Sequence, residues 1–254
     1  MKLTTLIENT TLSPALTAEH GLSLYIETRG HKILFDMGQS PAFAENAETL
    51  GVDLSEIDLA ILSHGHYDHG GGLATFLELN STAPVYVNRH AFGPHYNASD
   101  KYIGLDAALQ SHPRLIFTEG KTQIAPGLTL HTLPFPPADT SGLQRMEDGI
   151  LLPEDFRHEQ YLTIEEGNRT ILISGCSHKG IVPIANHFRP DVLIGGFHLM
   201  KITDPEILDT YARNLPANTT YYTGHCTGSA QFEHLKTALS PRLFSLSTGA
   251  SFVI

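Results

Sequence analysis

Short apolar runs separated by turn residues recur along the whole chain and predict many β-strands. Two pairs of such runs enclose a turn: residues 22–27 and 32–35 around Arg29-Gly30, and residues 161–164 and 170–173 around Glu166-Gly-Asn168. Apolar runs joined by a few residues that include Gly are typical of a β-hairpin, because Gly adopts the positive φ that a tight turn requires. The sequence therefore predicts two hairpins.

The remaining apolar runs alternate with helical stretches. Continuous apolar character predicts further strands at residues 57–62, 85–87, 115–117, 128–132, 192–194 and 220–223. Helices are predicted at 41–50, between Pro41 and Gly51, and at 205–215 and 230–239. Hairpins mixed with strand–helix units favour an α/β (α+β) fold, in which two mixed sheets pack face to face with helices on both outer faces. The length suits one domain over residues 1–254.

One long segment does not fit this alternation. Residues 133–157 contain four prolines and several acidic residues. A connection of this length in a compact domain is usually a lid or a binding loop, so we predict a long surface loop here.

Charge and composition exclude several classes of function. The 254-residue chain has a formal net charge of −11 and no run of Lys or Arg, so it lacks the basic stripe of a nucleic-acid-binding protein. No apolar run approaches the ~20 residues of a membrane-spanning helix, and the start of the chain does not resemble a signal peptide. The two cysteines cannot form a disulfide framework, which favours a reducing, cytoplasmic location. The 15 histidines, by contrast, suit metal binding.

Side chains that can bind metals follow five of the predicted strands. They are Asp36, His64, Cys176 with His178, His198 and His225. Ligand sites in α/β proteins favour the edge where the carboxyl ends of the strands meet. If these strands share an orientation, we expect the five groups to converge on one edge of the sheets.

The most specific motif is His64-Gly-His66-Tyr-Asp68-His69, which directly follows the predicted strand 57–62. Three imidazoles and a carboxylate within six residues would find too few hydrogen-bonding partners in an apolar core. Zinc and similar divalent ions bind this set of nitrogen and oxygen ligands. Alternation places His64 and His66 on one side of an extended turn, so Asp68 and His69 are expected to reach a second ion. The motif therefore predicts a two-metal site.

This motif resembles the signature of the metallo-β-lactamase superfamily, and the resemblance covers nearly the whole chain. It implies a four-layer αββα sandwich with a dinuclear metal site. By this resemblance, Asp36 matches an aspartate that supports the histidine loop from behind the ligands. Cys176 stands where many members carry a metal-bridging aspartate and the true β-lactamases a cysteine. His225 matches the last metal-binding histidine.

Further motifs are similar to one branch of the superfamily, named for a dihydropterin–aminobenzene ribofuranosyl phosphate synthase of methanopterin biosynthesis. They are Gly175-Cys-Ser-His178-Lys-Gly-Ile181, Gly195-Gly-Phe-His198-Leu and Gly224-His225-Cys226-Thr-Gly228. His158-Glu159-Gln160 and Ile181-Val-Pro183-Ile also resemble its motifs, although the resemblance implies Asp at 158 and Asn at 183. These departures concern the substrate and leave the metal chemistry unchanged.

The chain also departs from the superfamily at one ligand. Most members supply a third-motif histidine from a Pro-Gly-His turn, but the equivalent stretch here reads Leu133-Pro-Phe-Pro-Pro137. His178, two residues past Cys176, is the natural substitute. His131 is the alternative, although it lies within a strand-like run and is expected to pack or to face solvent.

The other histidines and the second cysteine have less specific contexts. His198 shares the predicted edge but lies outside the usual ligand set, so we predict a catalytic or substrate-binding role for it. Cys226 is expected to pack as an apolar side chain. Solvent exposure is expected for the isolated His20, His31, His112, His187 and His234. His90 and His95, with Tyr96, are candidates for lining a pocket.

These observations predict a metal-dependent hydrolase-type enzyme acting on a small molecule. Its cofactors would be two divalent ions, zinc with manganese or iron as alternatives, held by His64, His66, Asp68, His69, Cys176, His178 and His225. The catalytic residues would be Asp68, which orients the attacking hydroxide, and His198, which anchors the substrate or protonates the leaving group. Two alternatives stay open: a synthase-like transferase that uses a pterin diphosphate, and a non-catalytic metal-binding or redox module.

Overall fold

Two seven-stranded sheets pack face to face in the structure, a computed structural model that describes residues 1–137, 140 and 142–254. The first sheet contains β1 (Lys2–Ile7), β2 (Ser23–Thr28), β3 (His31–Phe35), β4 (Leu59–Ile61), β5 (Val85–Asn88), β7 (Leu115–Thr118) and β17 (Ser251–Val253). Their spatial order is β17-β1-β2-β3-β4-β5-β7. The strands from β17 to β3 pair antiparallel, and those from β3 to β7 pair parallel.

The second sheet is mixed in the same way. It contains β8 (Lys121–Ala125), β9 (Leu128–His131), β12 (Tyr161–Glu166), β13 (Arg169–Ile173), β14 (Val192–Ile194), β15 (Thr220–Thr223) and β16 (Leu243–Ser245). Their spatial order is β16-β15-β14-β13-β12-β9-β8. The strands β13 to β16 are parallel, so the residues that follow β13, β14 and β15 leave the sheet at the same edge.

The described residues form six α-helices, of which one, at residues 67–70, carries part of the histidine motif and the other five cover the two outer faces. They are α1 (Ala42–Thr49), α2 (Tyr67–Gly70), α3 (Leu73–Leu79), α4 (Ile181–Phe188), α5 (Pro205–Asn214) and α6 (Ser229–Leu239). Phe43 of α1 and Phe76 of α3 pack against the first sheet, while Ile184 of α4 and Leu235 of α6 pack against the second. The predicted arrangement of two mixed sheets with helices on both sides is confirmed.

Alternation along the central strands separates the layers. In β3, Ile33 and Phe35 point into the core between the sheets, while Leu34 belongs to the core under α1 and α3. In β13, Ile171 and Ile173 face the core between the sheets, and Leu172 faces the helices on the other side. These strands are apolar on both faces because both faces are covered, which explains their continuous apolar sequence.

The predicted long loop over residues 133–157 is wrong in its second half. Residues 144–153 form a hairpin of β10 (Gln144–Glu147) and β11 (Ile150–Pro153), and β10 also pairs with β6 (His95–Tyr96). Residues 138, 139 and 141 of the predicted loop lie outside the described residues. None of the residues in these two strands is fully buried, so the hairpin needs no alternating apolar pattern and could not be recognised from one.

The three helices predicted from the sequence agree with the structure to within one residue at all six of their ends. Helices α2, α3 and α4 were not predicted. Helices α2 and α3 have seven residues or fewer and take their stability from packing. Helix α4 contains Pro183, a residue that usually interrupts a helical pattern. Among the helices of residues 1–137, 140 and 142–254, none combines the length and apolar character needed to span a membrane.

Gln160 ties the two sheets together beside the end of β4. Its amide nitrogen donates to the carbonyls of Leu62 and Tyr86 at 2.7 and 3.2 Å, and its amide oxygen accepts from the Thr118 hydroxyl at 2.6 Å. The side chain is fully buried. Removing the amide would therefore break three hydrogen bonds that join buried segments.

We expect Gln160→Leu to lower the free energy of unfolding by about 2–4 kcal/mol, measured by urea denaturation. The matched control is Gln123→Leu on the exposed surface of β8, where a change within about 0.5 kcal/mol is expected. Equal stability of the two variants would show that the bonds of Gln160 do not hold the sheets together.

Candidate metal centre

The loops after β3, β4, β13, β14 and β15 bring their metal-binding side chains to one edge of the sandwich. His69 Nε2 lies 3.1 Å from Cys176 Sγ and 3.2 Å from His225 Nε2, although His69 is more than 100 positions from each of them in sequence. His64 Nε2 lies 3.3 Å from His178 Nε2. The convergence expected from the positions of these residues after strands is therefore present in the structure.

Two glycines allow this close approach. A Cβ atom on Gly65 would lie 2.1 Å from the carbonyl oxygen of Ala91, and one on Gly175 would lie 2.2 Å from Ser63 Oγ. Contacts this short are not possible, so only Gly fits between His64 and His66 and before Cys176. This crowding explains why glycine occupies position 65 in the histidine motif and the position before Cys176.

Asp36 is the hydrogen-bonding hub behind the histidine loop. Its fully buried carboxylate accepts the Ser63 backbone N–H, the Ser63 hydroxyl and His69 Nδ1–H, each at 2.7 Å. The Ser63 hydroxyl in turn accepts from His64 Nδ1 at 2.8 Å. Asp36 thus fixes the orientation of His69 directly and that of His64 through Ser63.

A first group of candidate ligands consists of His64, Cys176 and His178, whose ligand atoms all lie within 4.8 Å of one another. The His66 ring lies 4.6 Å from that of His64 and 4.9 Å from that of His178, centroid to centroid. His178 also stacks on Phe156, with a centroid distance of 4.3 Å. His178, the predicted substitute for the missing third-motif histidine, therefore lies beside His64 and His66.

A second group consists of His69, Cys176 and His225, with the same mutual spacing. Asp68 Oδ2 adds a carboxylate at 3.3 Å from His225 Nε2 and 3.8 Å from His69 Nε2. His225 Nδ1 donates to Asn9 Oδ1 at 2.9 Å. Cys176 belongs to both groups, as expected for a residue between two ions.

The proton positions in these groups fit bound cations. Because the partners of their Nδ1 atoms are acceptors, His64, His69 and His225 carry a proton on Nδ1 and present the lone pair of Nε2 when neutral. In the second group, the Nε2 atoms of His69 and His225, which carry two of these lone pairs, are 3.2 Å apart. A tetrahedral zinc site with metal–nitrogen bonds of ~2.0–2.1 Å has ligand–ligand edges of about 3.3 Å. The donor set and its spacing therefore fit a divalent ion.

The electrostatic field differs between the two groups. Burial lowers the pKa of His66 to about 3, and it also holds the pKa of His64 and His178 well below the usual range. Burial acts on His69 too, but the carboxylates of Asp36 and Asp68 outweigh it and raise its pKa to about 9. The second group thus attracts positive charge, whereas the first offers neutral imidazole nitrogens.

His198 lies beside the first group. Its ring centroid is 4.3 Å from that of His178, and it forms a further cluster with Cys176 and Cys226 within 4.8 Å. The backbone of His198 has a φ of 54°, a left-handed conformation that is uncommon for a residue other than Gly. Cys226 is buried, and its Sγ lies 3.6 Å from the Cys176 carbonyl oxygen. Cys226 therefore packs directly against the candidate centre.

Several residues of the centre were not identified from the sequence as belonging to it. His20 was expected to be isolated, but its Nε2 lies 3.3 Å from Asp68 Oδ2 on the exposed side of the centre. Asn9 reaches His225 across 216 positions of sequence. Neither position carries a local pattern, since each becomes informative only when distant segments meet.

A third histidine cluster lies next to His66. It consists of His66, His95 and His158, with ligand atoms within 4.8 Å of one another. His95 Nδ1 donates to the buried Glu154 at 2.7 Å, and His158 Nδ1 accepts the Gly65 N–H at 2.9 Å. A neutral His158 therefore carries its proton on Nε2, which has no hydrogen-bond partner among the described residues. His158-Glu159-Gln160 was the sequence signal that could have indicated this cluster.

His131 does not join the centre. Its Nε2 bonds to Thr163 Oγ1 at 2.8 Å within the second sheet, so the alternative to His178 lies away from the candidate ligands. Glu159 instead supports His178, since its buried carboxylate accepts the backbone N–H groups of His178 and Lys179 at 2.7 and 3.1 Å.

The fold and the candidate metal centre are those of a known superfamily. A model of the Metallo-beta-lactamase superfamily matches residues 16–225, and the chain belongs to that superfamily. Its members generally bind divalent metal ions. The family resemblance predicted from the histidine motif is confirmed.

Two proteins of Methanocaldococcus jannaschii are similar in sequence. The chain is 29% identical over 243 residues to the 7,8-dihydropterin-6-methyl-4-(beta-D-ribofuranosyl)-aminobenzene-5'-phosphate synthase, covering 83% of this chain and 82% of the synthase. It is 30% identical over 213 residues to an uncharacterized protein, covering 78% and 80% of the two chains. The resemblance to the synthase branch is confirmed.

Solved structures agree with the fold. The crystal structure of a metal-dependent hydrolase of the beta-lactamase superfamily superposes with a TM-score of 0.83 at 27% identity, covering 100% of this chain and 99% of that one. A metallo-beta-lactamase fold protein of Bacillus subtilis has a TM-score of 0.61 at 15% identity, with 99% of both chains covered.

Cys176→Ser tests whether one thiolate serves both groups. We expect this variant to lose affinity for at least one of two zinc ions by tenfold or more, because a hydroxyl is a far weaker zinc ligand than a thiolate. Zinc titration by calorimetry would measure the change. The matched control is the other buried cysteine, Cys226→Ser, which should keep both ions. Unchanged zinc affinity in Cys176→Ser would leave Cys176 as a packed thiol.

Proposed function

We propose that this chain is a metal-dependent enzyme of hydrolase type that holds two divalent ions and acts on a small, phosphorylated molecule. The observation that carries this proposal is the pair of ligand groups that share Cys176, one with His64 and His178 and one with His69 and His225. His66 adjoins the first group and Asp68 the second. Nitrogen and thiolate ligands favour zinc, with manganese and iron as alternatives.

The chemistry follows from the residues around these groups. Two divalent ions bound there would activate water for attack and neutralise charge on a phosphoryl or carbonyl oxygen. Asp68 points a carboxylate oxygen at the second group, where it can accept a proton from an attacking water. The His198 ring lies next to that of His178, but His198 belongs to neither ligand group. It is positioned to anchor the substrate or to protonate a leaving group.

A pterin-dependent transfer reaction is the second candidate. It is favoured by the relative at 29% identity, whose name describes the synthesis of a phosphorylated pterin–aminobenzene compound and of which this chain covers 82%. In that reaction the leaving group would be pyrophosphate, and the centre would mainly offset phosphate charge in a chain of net charge −11. The histidine at 158 separates this chain from the pattern that the resemblance implies.

A non-catalytic metal-binding or redox module is the third candidate, and it has the least support. Such a centre would call for more carboxylate ligands, whereas the candidate ligands described here include one carboxylate, that of Asp68 beside His69 and His225. We also propose that residues 1–254 act as one domain, because β1 pairs with β2 on one side and with β17 on the other.

Metal analysis tests the first part of this proposal. Protein purified without metal and then reconstituted should bind close to two zinc, manganese or iron ions per chain, measured by plasma emission spectrometry after desalting. A screen of phosphodiesters, lactones and pterin diphosphates would then separate hydrolase from transferase. A chain that retains no ion after reconstitution would contradict the two-metal centre.

His198→Ala separates catalysis from ligation. We expect the variant to keep its full metal content while turnover falls by ~10²–10⁴, because a general acid is removed and the ligands stay in place. His66→Ala should lose metal and activity together. The surface control is His234→Ala, which loses an exposed ion pair with Asp209 and should leave both properties unchanged. Loss of metal from His198→Ala would make His198 a ligand and place His178 in question.

A further inference from the structure

The side-chain amide of Asn9 lies between two histidines at the second ligand group, His20 and His225. The two imidazole rings are neighbours, with their centroids 4.7 Å apart. Asn9 Oδ1 accepts His225 Nδ1–H at 2.9 Å, whereas Asn9 Nδ2 lies 3.4 Å from His20 Nδ1. One amide therefore contacts the same ring atom of both histidines, but with chemically opposite ends.

The surrounding backbone determines which way the amide of Asn9 points. Its Oδ1 accepts the Gly21 N–H at 3.3 Å, and its Nδ2 donates to the His225 carbonyl oxygen at 3.5 Å. A reversed amide would place donor against donor at Gly21 and acceptor against acceptor at this carbonyl. The amide oxygen of Asn9 therefore faces His225 Nδ1, and its NH₂ group faces His20 Nδ1.

These contacts give the two rings opposite proton positions. A neutral His225 carries its proton on Nδ1 and keeps the lone pair of Nε2, 3.2 Å from His69 Nε2, for an ion. His20 Nδ1 instead faces a donor, so a neutral His20 carries its proton on Nε2. That atom lies 3.3 Å from Asp68 Oδ2, which can only accept when ionised. His20 thus stands beside this carboxylate as a hydrogen-bond donor.

The backbone after His20 is held against the histidine motif. The Leu22 N–H donates to the Asp68 carbonyl oxygen at 3.2 Å. A Cβ atom on Gly21 would lie 2.5 Å from the same oxygen, so only Gly allows the two segments to approach this closely. His20 is therefore fixed beside Asp68, although 42% of its side chain is exposed.

We propose that Asn9 and His20 are positioning residues of the second ligand group. The amide of Asn9 makes His225 a ligand and its neighbour His20 a hydrogen-bond donor. His20 in turn holds the carboxylate of Asp68 in the orientation in which it can bind an ion and accept a proton from water. This assignment rests on the proposed function, which supplies the second ion. It gives two adjacent histidines different roles, although both belong to one group of possible ligands with Asp68.

NMR of the ring nitrogens in metal-free protein tests the proton positions directly. With both rings neutral, we expect Nε2–H on His20 and Nδ1–H on His225. Asn9→Asp keeps an acceptor for His225 but replaces the donor to His20 by a second acceptor, so His20 should carry a proton on Nδ1. The matched control is Asn218→Asp, an exposed residue with the same change of charge, which should leave both rings unchanged. A proton on His20 Nδ1 in neutral wild type, or its absence in Asn9→Asp, would overturn the proposal.

Zinc titration by calorimetry tests the effect on the second ion. His20→Ala should weaken one of two zinc ions by about 10–100-fold without changing their number, because a ligand loses the group that orients it. His20→Gln should restore most of this affinity, since its amide can donate to Asp68. The surface control is His234→Ala, which should bind zinc as the wild type does.

The two measurements separate the possible outcomes. Loss of one zinc ion from both His20→Ala and His20→Gln would make His20 a ligand and overturn the assignment. Equal zinc affinity in wild type, His20→Ala and Asn9→Leu would also overturn it, while two bound ions would leave the proposed function standing. The expected proton positions in a chain that binds no zinc would support the roles of Asn9 and His20 in setting them and contradict the proposed function.

Discussion

The buried carboxylate of Asp36 connects the fold to the candidate centre. It follows β3 in the first sheet and accepts three hydrogen bonds, two from Ser63 and one from His69. A buried carboxylate is tolerated only when its oxygens are satisfied, so these bonds hold the loop after β4 in one arrangement. The orientation of His64 and His69 depends on this arrangement, and the spacing of both ligand groups depends on these two histidines. Without Asp36, the histidine motif would have no fixed geometry.

The second sheet contributes the other half of the candidate centre, and residues 158–160 connect it to the first sheet. Each of residues 158–160 contacts a segment on the far side: His158 accepts the Gly65 N–H, Glu159 accepts the backbone N–H of His178, and Gln160 donates to the carbonyls of Leu62 and Tyr86. These bonds set the position of the first sheet's histidine loop relative to the turn that follows β13. Cys176 can therefore belong to both ligand groups, because the two sheets are fixed against each other at this edge.

The electrostatic field differs between the two ligand groups of the candidate centre. The carboxylates of Asp36 and Asp68 lie beside the second group and raise the pKa of His69 to about 9 despite burial, so this group favours a cation. In the first group, burial holds the pKa of His64 and His178 well below the usual range, so their imidazoles are neutral. Neutral imidazole nitrogens next to a negative carboxylate cluster are a donor set that suits divalent ions.

The sequence by itself determined the superfamily, the layers and the first candidate ligands, because these depend on local patterns. Apolar runs with the period of strands predict two sheets, and His64-Gly-His66-Tyr-Asp68-His69 concentrates the ligands of one loop within six residues. The choice of His178 over His131 also followed from its place after Cys176, and the structure brings it beside His64. What only the tertiary structure decided are the partners from distant segments: Asn9 and His20 at the second group, and His95 with Glu154 beside His66. These residues have no distinctive neighbours in sequence, and their role arises only when distant segments pack together, as Asn9 and His225 do across 216 positions.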